Sequence, residues 1–161
     1  MALWQFALDL IPVSAARVSG VEAIRLDDAL HDMPLLNFSN TEIAELIDDL
    51  STLLPEAQSW NSSLRIWGSE KSDDIQVGFE GSAIEFVQFR LDVSNLSFRL
   101  VGGICELAQR FGCLLAARDR AIIQPRIKPV IKAVLRSPAM KFVRDPEAYL
   151  AEAGLLDPLP D

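Results

Sequence analysis

The stretch from Leu64 to Val93, LRIWGSEKSDDIQVGFEGSAIEFVQFRLDV, constrains the fold more than any other part of this chain. Ile75, Val77 and Phe79 alternate with Gln76, Gly78 and Glu80, the period of two that marks a strand with one buried face. Leu64 and Ile66 alternate in the same way with Arg65 and Trp67, and the polar run GSEKSDD between the two strands reads as a loop. Glu80-Gly81-Ser82 supplies a short connection whose glycine can adopt positive φ, so a hairpin follows. The third run changes phase: Ile84 and Phe86 have one parity, Val87, Phe89 and Leu91 the other. A bulge or burial on both faces explains this, and burial on both faces near Phe86 to Phe89 is the preferred reading. Three consecutive antiparallel strands are thus expected, the third central to its sheet.

The flanking segments supply covering elements. Trp4, Phe6, Leu8 and Leu10 alternate with Gln5, Ala7 and Asp9, predicting an amphipathic strand ended by Pro12 that pairs with the meander. Ser39-Asn40-Thr41-Glu42 is a capping box, and Ile43, Leu46, Ile47, Leu50 and Leu54 follow at helical spacing until Pro55. Ser94-Asn95 offers a cap to a second helix over about Leu96 to Phe111, with Gly112 at its C′ position. Close packing on the sheet would account for Gly102-Gly103 within it. Cys113 to Ala117 and Ala121 to Gln124 read as two short strands turning at Arg118-Asp119-Arg120. Pro129 fits the first turn of a helix running to about Arg136, and Ser137-Pro138 and Asp145-Pro146 each pair a cap with a first-turn proline. Val13 to Asn37 is harder to read: Ser14 to Val18 suits a helical turn, and VEAIRLDDALHDMP suits a short strand or a short helix.

Strands and helices in this order predict an α+β fold: one domain over residues 1–154, with an antiparallel sheet of about five or six strands packed by helices, and a tail at 155–161. No apolar run reaches the roughly 18 residues that a membrane helix requires. The start MALWQFALDLIP has no leading Lys or Arg and is interrupted by Asp9, so it is not read as a signal peptide. Cys105 and Cys113 do not form a C-x-x-C pair and are expected to be reduced core thiols of a cytoplasmic protein.

Charge is segregated along the chain. The formal net charge is −8, but residues 1–109 carry −11, residues 110–144 carry +8, and residues 145–161 carry −5. Asp27, Asp28, Glu42, Glu45, Asp48 and Asp49 form the candidate acidic partner-binding surface. Clustered carboxylates repel one another, a cost that a basic partner would recover. The basic segment runs Arg110, Arg118, Arg120, Arg126, Lys128, Lys132, Arg136, Lys141 and Arg144. Nucleic-acid binding through residues 110–144 is the alternative, although an acidic chain approaches a polyanion poorly.

Catalytic chemistry is thinly represented, and an enzyme ranks third. His31 is the only histidine, and no nucleophile-elbow pattern accompanies it. One His and two separated Cys do not close a zinc site, and Asp27-Asp28 with Asp32 lacks EF-hand spacing. No catalytic residue, metal or cofactor is therefore expected. Glu80, Glu85 and Asp92 could converge in space, with surface strand positions as the default. Trp60 and Trp67 are read as core or rim packing, with partner anchoring as the alternative.

Four phrases carry a resemblance. They are SW-NSS-LRIWGSEKSDDIQV at Ser59 to Val77, the R-L-D ending of Phe89 to Asp92, LAQRFGCLL at Leu107 to Leu115, and SPAMKFVRDPEAYL at Ser137 to Leu150. Together they resemble small bacterial immunity-type α+β proteins carried beside toxins, and related uncharacterised proteins. The resemblance implies a toxin-neutralising role, and the segregated charge with the absent chemistry adds the expected mechanism: a non-enzymatic protein-binding module that occludes a basic toxin through its acidic surface. It supplies no functional residue.

Overall fold

The three strands of the meander form where predicted, and the rest of the chain is arranged on them. The faces of the first strand, Leu64–Gly68, are reversed, however: Trp67 pairs with Ile75 and enters the main core, whereas Ile66 lies opposite Gln76. The computed structural model describes residues 1–18, 21–22, 24–27 and 34–154. In chain order the strands and helices are β1 Gln5–Pro12, β2 Arg17–Val18, β3 Val21–Glu22, α1 Asn40–Leu53, β4 Glu56–Ala57, β5 Leu64–Gly68, β6 Asp74–Glu80, β7 Ala83–Asp92, α2 Phe98–Arg110, β8 Cys113–Ala117, β9 Ile122–Ile123, α3 Ile127–Leu135, α4 Pro138–Arg144 and α5 Pro146–Glu152. Seven strands make one sheet in the order β4-β5-β6-β7-β1-β8-β9, and β2 pairs with β3 separately. The α+β class holds, with more strands than the five or six expected. The added edge strand β4 has only two residues, Glu56 opposite Trp67 and Ala57 opposite Ile66. So short a strand has no period to read. Both edge strands, β4 and β9, are two residues long, which leaves little edge to template association.

β7 lies at the centre of the sheet, paired with β6 and β1. Its phase change comes from a bulge rather than from burial on both faces. Gly78 faces Phe86 while Phe79 faces Ile84, which leaves Glu85 unopposed. The bulge brings Ile84, Val87, Phe89 and Leu91 into one core, while Phe86 stays half-buried. The Phe86 ring covers Gly78 so closely that a Cβ there would collide with it.

β1 also departs from its expected form. It is buried on both faces, from Gln5 to Ile11, rather than amphipathic. Phe6, Leu8 and Leu10 join the main core beneath the helices, with Leu46 and Leu50 of α1 and Leu100, Ile104 and Leu107 of α2. Each such fully buried side chain contributes about 1.5–3 kcal/mol relative to exposure. The opposite parity of β1 and β8 supplies Ile11, Leu114 and Ala116 to a second cluster, completed by Ala16 and Leu26. The segment after β1, including a 3-10 turn at Val13–Ala16, thus roofs the far face of the sheet.

Helix boundaries follow local chemistry. Ser39 Oγ accepts from the Glu42 N–H at 3.2 Å while Glu42 Oε1 accepts from the Ser39 N–H at 3.1 Å, the reciprocal capping box. The cap of α2 is Ser97, not Ser94-Asn95: Ser97 Oγ accepts from the Leu100 N–H at 3.1 Å. The Asp92 carboxylate accepts the Ser94 N–H at 2.9 Å and holds Val93–Asn95 in a separate 3-10 turn. Gly112 follows α2 at φ +64°, where a Cβ would be strained. Gly103 packs on α1 rather than on the sheet, since a Cβ there would strike Leu53. Ser137 and Asp145 cap α4 and α5, each with proline at the first helical position.

Candidate protein-interaction surface

α1 turns Leu46 and Leu50 into the core, so Glu42, Glu45 and Asp48 stand on its exposed side. Asp49 does not share their freedom. Both of its oxygens accept from Arg110 Nη1 at 2.8 Å, which ties α1 to the end of α2 and neutralises one residue from each charged segment. A half-exposed pair of this kind contributes at most about 1 kcal/mol.

The carboxylates of α1 continue across a cleft that the sequence did not single out. Glu42 lines it from the helix, and Glu80 and Glu85 line it from the β6–β7 hairpin. Its floor and rim include Leu35, Phe38 and Ile84, and its volume is about 440 Å³. Leu35 is 60 % exposed, and Phe38 is braced against Phe111 with ring centroids 5.6 Å apart. The hairpin bulge leaves Glu85 exposed. Glu80 and Glu85 therefore converge with Glu42, whereas Asp92 lies at the other end of β7, where its N–H donates to Asp73 Oδ1 at 2.7 Å.

Asp27 does not join this surface. Its neighbour Leu26 packs into the second cluster, on the face of the sheet opposite α1. Arg120 Nη2 donates to the Asp27 carbonyl at 2.9 Å, and Leu26 N–H donates to the Arg120 carbonyl at 2.8 Å. The six acidic positions chosen from sequence therefore do not form one patch. Glu42, Glu45 and Asp48 belong together, Asp49 is paired and Asp27 lies elsewhere, while Asp28, with His31 and Asp32, lies outside the described residues. In the basic segment, Arg110 and Arg120 are engaged as described, and the exposed cations are carried chiefly by α3 and α4.

A second polar group lies on the far face of the sheet. Register aligns Gln76, Gln88 and Asp9 across β6, β7 and β1, and places Asp74 beside Arg90. Arg90 clasps Asp74 with Nε at 2.8 Å and with Nη2, and Glu70 lies 3.8 Å from the same guanidinium. Asp9 is only 6 % exposed, and Gln88 Nε2 donates to its Oδ1 at 3.4 Å. Burial pushes the Asp9 carboxyl up to about 6, against the pull of Gln88 and the Arg118 charge. Burial likewise raises Asp73. These residues occupy the polar parity of their strands. The alternation identified that parity, but not that it would be covered.

Cys105 and Cys113 are both free and buried, and burial pushes each thiol up to about 11, as suits core packing. The two central tryptophans differ: Trp67 is fully buried and donates Nε1–H to Ser51 Oγ at 3.0 Å, whereas Trp60 is 69 % exposed. Among the described residues, no three His, Cys, Asp or Glu side chains are placed to hold a metal ion, and no helix is long and apolar enough to cross a membrane.

Comparison with known proteins returned no match, whether to a family model, a curated protein or a solved structure.

Proposed function

We propose that this chain is a non-enzymatic protein-binding module of the immunity type, which occludes a basic toxin through an acidic surface. The observation that carries this reading is the meeting of Glu42, Glu80 and Glu85 around the apolar cleft at Leu35 and Phe38. An exposed apolar anchor within a carboxylate rim suits a partner offering Arg or Lys side chains, whose aliphatic stems need cover and whose heads need charge. Glu45 and Asp48 extend the negative field along α1 and would steer a cationic partner inward. Preorganisation supports the reading as well, because the capping box and the two-residue hairpin turn hold the carboxylates before any partner arrives. Occlusion then requires no chemistry from the chain itself, only a rigid acidic face that covers the toxin's working surface.

The test starts from a basic protein recovered by tagged pull-down from the source cell. Its affinity is then measured for the chain and for a Glu42→Gln, Glu80→Gln, Glu85→Gln variant. The expected result is a loss of at least about tenfold and a shallower dependence on salt. Asp27→Asn serves as the control and should leave binding unchanged. A partner that binds the triple variant as tightly as the parent would remove the cleft from the interface.

A further inference from the structure

The flank formed by α2 and α3 carries exposed apolar side chains that the acidic surface does not use. On α3, Val130 and Val134 enter the core, whereas Ile127 and Leu135 are 49 % and 46 % exposed, with Ile131 half-buried between them. These three residues recur at every fourth position and make one stripe. Ile127 lies over Gly102, at 3.7 Å from where a Cβ would stand, and Gly102 is one turn from Phe98, which is 62 % exposed. Beside the apolar stripe runs a cationic one, Lys128, Lys132 and Arg136, all exposed, and Arg99 adjoins Phe98. From Arg120 to Arg144 the chain has seven cations and no carboxylate. Among the described residues, no ion pair involves Arg99, Lys128, Lys132 or Arg136.

We propose that this flank is a second docking surface, whose occupant is an acidic amphipathic helix of a protein partner. Charge complementarity selects the occupant. A partner here must bring carboxylates to the Lys128, Lys132 and Arg136 row and must also cover Ile127, Leu135 and Phe98. A nucleic acid answers the first requirement and little of the second. Phe98 could stack on one of its bases, but Ile127, Ile131 and Leu135, which make the apolar stripe, give it neither charge nor a stacking face. A helix answers both. The α3 stripe is about 12 Å long from Ile127 to Leu135, at roughly 1.5 Å per residue. That matches about two turns of a partner with apolar residues at i, i+3 or i+4, and i+7, and Asp or Glu alongside. The surface is separate from the cleft at Glu42, Glu80 and Glu85 and opposite in sign. The chain would then hold a basic partner on one surface and an acidic one on another.

The test is selection of displayed helical peptides on the intact protein, followed by fluorescence anisotropy on those enriched. Enriched peptides are expected to combine apolar residues at helical spacing with flanking Asp and Glu. Ile127→Ser with Leu135→Ser should weaken their binding at least tenfold. Lys128→Gln, Lys132→Gln and Arg136→Gln together should do the same and flatten the salt dependence. All five positions are exposed or at a helix surface, and circular dichroism confirms that each variant folds. The Glu42, Glu80 and Glu85 variant should bind the peptides normally, which separates this proposal from the acidic cleft. Failure to enrich any peptide, enrichment without the acidic-apolar pattern, or indifference to both sets of substitutions would overturn it. Displacement of the peptides by oligo(dT) at comparable concentration would also overturn it, because the surface would then be a polyanion site.

Discussion

Asp9 is expected to destabilise the chain at neutral pH, and removing its charge should stabilise it. The carboxylate is 6 % exposed in the middle of β1, and among the described residues its only side-chain hydrogen bond is the 3.4 Å contact from Gln88. Its ordinary value of 3.8 applies to the unfolded chain, and burial raises the folded value to about 6. Between those values the folded chain holds a proton that the unfolded chain has released. Stability therefore falls as pH rises through this window and stays low above it. Roughly two pH units at about 1.36 kcal/mol each give a penalty of about 2–3 kcal/mol at pH 7. Asp9→Asn keeps an acceptor for Gln88 and lacks the buried charge. Urea unfolding of both proteins from pH 4 to pH 8 measures the effect. At pH 7 the variant should be more stable by about 2–3 kcal/mol, a rise in Tm of roughly 4–12 °C for a chain of this size. The advantage should shrink steadily as the pH is lowered towards 4, where the folded parent is also protonated. Parallel stability curves across the whole range, or a variant less stable at pH 7, would refute the assignment of a buried, poorly compensated charge.

Two further stability predictions test packing and ion pairing. Gly103→Ala brings a Cβ against Leu53, whereas Gly102→Ala meets only Ile127 Cδ1 at 3.7 Å. The second should stabilise α2 by about 0.5–1 kcal/mol through helix propensity, and the first should be at least about 1 kcal/mol worse than the second. Thermal unfolding orders them, and the reverse order would discard the α1–α2 contact as the reason for Gly103. Asp74→Ala leaves Arg90, with its side chain 12 % exposed, with Glu70 at 3.8 Å as its one remaining ion-pair partner among the described residues. It should cost about 3–5 kcal/mol, while Asp74→Leu with Arg90→Met should recover most of that loss. A double variant as unstable as the single one would mean that the pair contributes more than mutual neutralisation.

Local sequence determined the elements whose cause is local. The alternation in β6 and the reciprocal bonding of Ser39 and Glu42 depend on neighbours a few residues apart, so they are legible in the chain, whereas the face that β5 presents and the bulge in β7 depend on pairing across the sheet. The proline starts of α4 and α5 and the glycine after α2 are legible for the same reason. Segregation of charge along the chain was equally plain, as was the packing of helices against an antiparallel sheet.

Tertiary structure alone decided where those charges and polar residues went. Glu85 reaches the cleft because a bulge displaces one residue of β7, and Glu42 meets it because the first turn of α1 borders the same cleft as the hairpin. Asp27 left the acidic surface because Leu26 packs on the opposite face. Asp9 reads as a solvent-facing strand residue until β1 is flanked by β7 and β8 and roofed by the segment that follows it. Period reports which side of a strand a residue occupies. What covers that side depends on segments distant in sequence, and their packing energy overrides the local preference of any single residue.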